Sequence, residues 1–233
     1  MSVNEVVGES KVLSRSEEIV CCPLCQSDGI SPYFKDKKRP YVQCECCDLV
    51  FVPRMYWLNS SEEKAEYDLH ENDASDLGYR QFLSRLSVPL LERLHSLLTG
   101  DCKGLDFGCG PGPTLSLMLE EKGVTMALYD PFYFNDPTVL DRTYDFICAT
   151  EVVEHLSNPK KEFANLFSML KPGGWLGLMT KMVKDQQAFG RWHYIHDQTH
   201  ICFYSRATFE FIAEEVGANV TFVANDVILL QKY

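Results

Sequence analysis

Three clusters in this 233-residue chain hold side chains able to do chemistry. The first is the turn Gly108-Cys109-Gly110-Pro111-Gly112, entered through Leu105, Asp106 and Phe107. A dinucleotide fingerprint would need glycine at position 113, where Pro113 stands, and a phosphate loop would need a following Gly-Lys-Ser/Thr, which is absent. The glycines still let a ligand approach the backbone closely. The second cluster is Cys22-Pro23-Leu24-Cys25 and Cys44-Glu45-Cys46-Cys47, two C-x2-C pairs with 18 residues between them. The third is the stretch Arg191–Ser205, RWHYIHDQTHICFYS, which carries Trp192, His193, Tyr194, His196, Asp197 and His200.

The elements that must position these groups follow from periodicity. Gly104–Phe107, Val124–Tyr129, Tyr144–Ala149 and Trp175–Thr180 are short apolar runs that predict buried strands. Leu83, Leu86, Leu90, Leu94 and Leu97 keep one helical face apolar, with a kink expected at Pro89. Thr114–Lys122 predicts a helix closed by Gly123. Phe163, Leu166, Phe167 and Leu170 mark another, and Phe209, Ile212, Ala213 and Val216 a last one, capped by Ser205 and stopped at Gly217. Val220–Ala224 and Val227–Leu230 around Asn225-Asp226 predict a closing hairpin. Strands alternating with helices imply an α/β fold, with a mostly parallel, doubly wound sheet covered on both faces.

In such a sheet ligands sit beyond the carboxyl ends of the strands, which places the glycine turn at the mouth. Asp106 puts a carboxylate there, a poor neighbour for phosphate and a good one for an ammonium group. Asp130 ends the second strand and can accept both hydrogens of a ribose diol. A place for an amino acid and a ribose, with none for phosphate, describes S-adenosylmethionine.

The four cysteines Cys22, Cys25, Cys44 and Cys47 have the spacing of a zinc ribbon. Four thiolates leave no open position, so the expected Zn2+ is structural, and it would supply what a block of this size cannot bury. Lys35, Lys37, Lys38 and Arg39 lie between the pairs and are expected on a solvated turn tip, with RNA phosphate contact as the alternative. In the third cluster a histidine is suited to take a proton from an alcohol or phenol near neutral pH. His200 leads, oriented by Asp197; His196, Tyr194 and His155 follow. His193, His196 and His200 would share a face, and could ligate a metal, if that stretch were helical.

Net charge of −11 and a pI near 5.0 disfavour nucleic acid and anionic membranes as partners. No apolar run approaches a membrane span and no signal peptide is evident, so a cytoplasmic location is expected. Expected organisation is a flexible terminus over 1–19, a zinc-ribbon module over 20–53 and an acidic connector over 54–76, read as a solvated linker or helix face.

LDFGCGPG, LYD, YDFICATEVVEHL, LKPGGWLGLMT and the final hairpin resemble the motifs of the class I S-adenosylmethionine-dependent methyltransferases, over roughly Leu77–Tyr233. The resemblance implies a methyltransferase domain over 77–233 with a Rossmann-like, seven-stranded sheet and an antiparallel last strand. It implies a cofactor site built from Asp106, Gly108, Gly110, Gly112 and Asp130, with Glu151 at its methionine end or in the acceptor pocket. Tyr144 follows Asp130 by only 14 positions, where the family fits a helix and a third strand. Thr138-Val139-Leu140 is read as a remnant of that strand, and Pro131, Phe132 or Tyr133 as the group packing on adenine. AEYDLHENDASDLGYRQFL, taken with EVVEHL and the histidine stretch, is similar to a bacterial group of methyltransferases that begin with a zinc ribbon. That likeness implies that Tyr67, His70 and Asn72 help to close the cofactor site.

The expected activity is methyl transfer to a small-molecule acceptor, with oxygen as the nucleophile. ATEV follows the fourth strand where planar-amine methylases carry Asn-Pro-Pro-Tyr. Two other readings stay open: an RNA base methyltransferase that grips with the ribbon, and a non-catalytic module that keeps a cofactor pocket. The oligomeric state is not legible.

Overall fold

The computed structural model describes residues 21–69, 73–95 and 101–233. The expected loose terminus over 1–19, Leu97, His70 and Asn72 lie outside the described residues. Cys22 and Cys25 sit on a turn ahead of the antiparallel hairpin Ile30–Lys35 (β1) and Pro40–Cys44 (β2). Cys44 ends β2, and Cys47 lies on the turn before Val50–Phe51 (β3), which returns beside β2.

The acidic stretch 54–76 is more than a solvated connector. It forms a helix, Ser60–Tyr67 (α1), entered through a capping box in which Asn59 and Glu62 satisfy each other's backbone N–H groups. Leu77–Leu94 (α2) follows, with Asp76 capping it and Pro89 inside it.

Lys103–Phe107 (β4), Thr114–Glu120 (α3), Thr125–Tyr129 (β5), Tyr144–Thr150 (β6), Pro159–Met169 (α4) and Leu170–Met179 (β7) then alternate. A short helix Gln186–Phe189 (α5) and a two-residue strand Cys202–Phe203 (β8) precede Arg206–Val216 (α6), Ala218–Phe222 (β9) and Val227–Lys232 (β10). Ser205 closes a capping box at the start of α6, and Gly217 takes φ 69° at its end, which an L side chain adopts only with strain. The main sheet runs β5-β4-β6-β7-β10-β9, parallel from β5 to β7, with β10 antiparallel to both of its neighbours.

Alternation along the strands feeds two cores, one on each face. Phe146, Cys148, Met179, Val227 and Leu229 pack under α2 and α3 with Leu83, Leu86, Leu90, Leu115 and Leu119. Ile147, Ala149, Leu176, Leu178, Ile228 and Leu230 pack under α4 and α6 with Phe163, Leu166, Phe209 and Ile212. Tyr41, Leu49, Val50, Phe51 and Val52 of the cysteine block belong to that second core. The reason is β8, which pairs antiparallel with β3 (Val50 to Phe203, Phe51 to Cys202) and makes a four-stranded sheet β1-β2-β3-β8. The cysteine block and the sheet domain therefore share one interior.

Among the described residues the main sheet has six strands, where seven were expected. Residues Pro137–Asp141 form a 3-10 helix, opened by the Asp136 side chain, and not a strand. A parallel crossover needs about a dozen residues or more. The chain between β5 and β6 uses its length on a tight turn, Asp130 to Phe134, and that one helical turn. β7 starts irregularly over 171–174, with Gly173 at φ 74°.

Candidate active site

A cavity of about 820 Å³ opens at the carboxyl ends of β4, β5 and β6. Gly108, Cys109, Gly110 and Pro111 form one side of it. Gly108 holds φ 73°, and a Cβ there would come 2.6 Å from Val152 Cγ2, so only glycine passes at this point. The turn is pinned to β5: Gly108 N–H donates to Tyr129 O at 2.8 Å, and Gly110 N–H to Asp130 Oδ2 at 3.0 Å.

Asp130 also accepts from Phe132 N–H (2.8 Å) and Tyr133 N–H (3.1 Å) through Oδ1. With two acceptor positions per oxygen, only one remains on Oδ2. A ribose diol would need two, so taking one here requires a loop bond to give way. Pro131, Phe132 and Tyr133 all line the cavity. Asp106 and Gly112 do not: Asp106 lies beneath the turn, accepting from Ser116 Oγ at 2.8 Å, with Oδ1 buried and unpartnered. Burial pushes its pKa up to about 6, against the Ser116 bonds that pull it down.

α1 forms another wall. Tyr67 meets the ring of Phe132 at 5.7 Å and that of His155 at 5.3 Å, while Asp68 accepts from Tyr133 Oη at 2.7 Å. The helix is thus tied to the end of β5.

The far wall holds the titratable groups. Glu151 follows β6 at φ 52°, a left-handed conformation costly for a residue with a Cβ and held by its N–H bond to Met179 O at 2.8 Å. Such strain clusters where a side chain must be aimed. Next come Val153–His155, one 3-10 turn, which buries Glu154 completely and brings His155 to the cavity. The Tyr194 hydroxyl bonds to Glu154 Oε1, lies 3.3 Å from Glu151 Oε2 and 3.2 Å from Thr180 Oγ1. It has one hydrogen and faces two carboxylates, so an added proton or a cation is needed for both contacts to attract. Burial pushes Glu151 up to about 7, against the pull of Lys181, and it pushes Glu154 to about 8, helped by the charge of Glu151. Glu151 Oε1 and Glu154 Oε2 are buried without partners.

His200 is 7% exposed, and burial lowers its pKa against the opposing charge of Asp197. Its Nδ1 is 2.8 Å from Tyr194 O, and its Nε2 is 3.7 Å from Asp197 Oδ2. His200 and Tyr194 line the cavity, as expected, but His196 does not. His196 is exposed at the end of the 3-10 turn His193–His196, which buries Tyr194 and Ile195 instead. Because the stretch is one short turn and not a continuing helix, His193, His196 and His200 form no joint ligand set among the described residues; His200 groups with Glu154 and His155.

The cysteine block holds this wall from behind. Arg39, 3% exposed, is no solvated tip: its guanidinium donates to Gln198 O (2.8 Å), Asp197 O (2.8 Å) and Ile195 O (3.3 Å). Tyr41 Oη lies 3.2 Å from Ile195 O. Val52 N–H donates to Ile201 O, and Ile201 N–H donates to Glu154 O, both at 2.9 Å. The Sγ atoms of Cys22 and Cys47 lie 3.5 Å apart, those of Cys25 and Cys44 3.3 Å, and all four within 4.8 Å of one another. Zn–S bonds of about 2.3 Å in a tetrahedron put sulfurs about 3.8 Å apart, so the donor set fits such an ion.

Glu154 escaped the sequence reading although it stands between two residues that were singled out. Its alternation within EVVEHL suggests a helix face, and only the 3-10 turn after a left-handed Glu151 turns it inward.

Residues 75–222 match the profile of a family described as a methyltransferase domain. No curated protein matches the chain. Solved structures it is similar to include an O-methyltransferase family protein from Burkholderia thailandensis, at 13% identity and TM-score 0.46, covering 72% of this chain and 61% of that one. The DszA carbon methyltransferase is 14% identical at TM-score 0.49, with 72% of this chain and 57% of that one covered. Magnesium protoporphyrin IX methyltransferase from Synechocystis PCC 6803, with bound S-adenosylhomocysteine, is 12% identical at TM-score 0.42, with 75% and 96% covered. The chain thus spans about 61% of the length of the first of these. Among the described residues no helix is long and apolar enough to cross a membrane.

Proposed function

Since the chain belongs to the methyltransferase domain family, in its S-adenosylmethionine-dependent class I, we propose that it methylates an oxygen atom of a small molecule. The observation that carries this reading is that one cavity is lined both by the glycine turn with Asp130 and by Glu151, Tyr194, His155 and His200. S-adenosylmethionine supplies an electrophilic methyl group when bound. Asp130 and the Gly108–Gly110 backbone take its ribose and amino-acid parts, and Phe132 its base. Asp106 acts from below, by setting the turn and the local charge.

The opposite wall takes the acceptor. An alcohol or phenol must lose a proton as its oxygen reaches the methyl carbon, and a carboxylate with a pKa near 7 suits that step. Burial pushes Glu151 up to about 7, and its side chain lines the cavity. His200 and His155 orient the acceptor, and Tyr67 excludes water. The Cys22, Cys25, Cys44 and Cys47 set holds structural zinc, and through Arg39 and β8 the ribbon fixes the acceptor wall. Its use as an RNA grip loses ground, because Arg39 is spent on backbone carbonyls.

Calorimetry with S-adenosylhomocysteine, followed by labelled-methyl transfer to a panel of phenols, alcohols and carboxylates, tests the reading. Binding and O-methylated product are expected. His200→Ala should keep cofactor affinity and slow transfer about tenfold or more. Preference for a pyridine dinucleotide, or methylation of nitrogen or RNA alone, would overturn it.

A further inference from the structure

We propose that Glu154, His155 and His200 form a second metal site, which takes a divalent first-row transition ion at the acceptor wall. One ligand atom from each of the three lies within 4.8 Å of the others. Both imidazoles are prepared in the same way. His155 Nδ1 is 3.2 Å from Thr199 O, and His200 Nδ1 is 2.8 Å from Tyr194 O. A carbonyl only accepts, so Nδ1 is the protonated nitrogen in each ring, and a neutral His200 keeps its lone pair on Nε2. A backbone carbonyl on the far nitrogen is the usual outer partner of a metal-binding histidine. The third donor is an unpartnered one: Glu154 is 0% exposed, its Oε1 is taken by Tyr194, and its Oε2 has no hydrogen-bond partner.

Charge points the same way. Two acceptors, His200 Nε2 and Asp197 Oδ2, stand 3.7 Å apart beside this buried carboxylate, an arrangement that a cation relieves. Two imidazoles and one carboxylate suit manganese, iron, cobalt or zinc, and three protein ligands leave positions open toward the cavity that His155 and His200 line.

The role assigned to the ion rests on the reading of this wall as the acceptor side. An acceptor hydroxyl that reaches the open positions becomes more acidic. Its proton passes to Glu151, its oxygen forms the new bond to the methyl carbon, and the methyl–sulfur bond breaks. S-adenosylhomocysteine departs as a neutral thioether, so the sulfonium charge and the anionic oxygen cancel.

The test is equilibrium binding of Mn2+ to the full chain already loaded with zinc, read from loss of the free-ion paramagnetic resonance signal. Mn2+ prefers oxygen and imidazole donors and leaves thiolates alone. One site per chain is expected. His155→Ala, His200→Ala or Glu154→Gln should weaken it more than about tenfold, the loss that even outer partners of a ligand can cause. His196→Ala, exposed and outside the trio, should leave it unchanged. Failure of the wild-type chain to take up either Mn2+ or Co2+ would overturn the site, and so would uptake undiminished in the two histidine variants. S-adenosylhomocysteine titrations on the same samples keep the readings apart. Cofactor product bound without the ion sinks the metal site alone, whereas ion bound without cofactor product sinks the methyl-transfer reading and leaves the site standing.

Discussion

The segment 191–204 has the ribbon on one side and the cavity on the other, and its two sides treat polar atoms in opposite ways. Toward the ribbon they are matched. Arg39 gives its guanidinium to three carbonyls, Tyr41 adds its hydroxyl, and four sulfurs converge. Toward the cavity they are left over. Among the described residues the buried side-chain atoms without partners are Asp106 Oδ1, Thr114 Oγ1, Glu151 Oε1 and Glu154 Oε2; the two glutamates face the Tyr194 hydroxyl of this segment, and none of the four lies in the cysteine block. An unpaired buried polar group costs roughly 1–3 kcal/mol, more if charged. A fold that satisfies one side and leaves the other wanting has kept the second for something that arrives from solution.

The hardest way to break this contrast is to remove the zinc proposed for the four cysteines. Structural zinc contributes on the order of 10–16 kcal/mol of apparent binding free energy in isolated fingers. Chelation, or Cys47→Ser, should therefore unfold the ribbon and strip β8 of its partner. Amide hydrogen exchange should show lost protection at Val50–Phe51 and Cys202–Phe203 together. Protection that persists at Cys202–Phe203 would mean the cavity wall stands without the ribbon.

Arg39→Met comes next. It removes the donors but leaves three carbonyls buried, so a loss of about 3–5 kcal/mol in denaturant unfolding is expected. A loss below about 1 kcal/mol would show that water replaces the guanidinium and that the matched side is not sealed.

The pairing of β3 with β8 and the burial of Arg39 were the least legible parts of the chain. Two residues, Cys202-Phe203, have no periodicity to read, and their partners Val50 and Phe51 lie far away in sequence. Arg39 is held by main-chain carbonyls, which leave no trace in residue type. By contrast β6, β7 and α6 are written in apolar runs and in Ser205 and Gly217, signals that act within a few residues. The strand expected at Thr138-Val139-Leu140 came from the family's pattern, against the 14-position spacing that physically forbids it. In the site, the glycine turn was legible because the positive φ of Gly108 and Gly110 selects the residue type. Glu154 and the exposure of His196 were not, since each depends on how one 3-10 turn rotates.

Asp106 sharpens the cavity side of the contrast. Its folded pKa, raised by burial to about 6, exceeds the ordinary 3.8. Stability that it contributes is full below pH 3.8 and is lost as pH rises through about 6, on the order of 3 kcal/mol in all. Asp106→Asn keeps an acceptor for Ser116 and has no charge to bury. The difference in unfolding free energy between variant and wild type should grow in favour of the variant from pH 4 to about pH 6.5 and then level off. A flat difference would mean that Oδ1 already has a partner. Asp130→Ala is smaller on stability and reads on binding. Losing charge-assisted bonds worth about 1.5–3 kcal/mol should weaken S-adenosylhomocysteine on the order of tenfold to a hundredfold by calorimetry.

The smallest effect is the one that separates Arg39 from its neighbours. Lys37 and Lys38 are exposed on the same β1–β2 turn, and among the described residues neither side chain makes an ion pair. Lys37→Glu with Lys38→Glu should change unfolding free energy by no more than about 0.5 kcal/mol and leave S-adenosylhomocysteine affinity where it was. If the ribbon instead met an anionic polymer, this tip would be the place, and the double variant would lose RNA retention at low salt that the wild type shows. With Arg39 turned inward, no such retention is expected of either chain. A filter-binding comparison at low salt therefore separates a ribbon that braces the acceptor wall from one that grips a substrate.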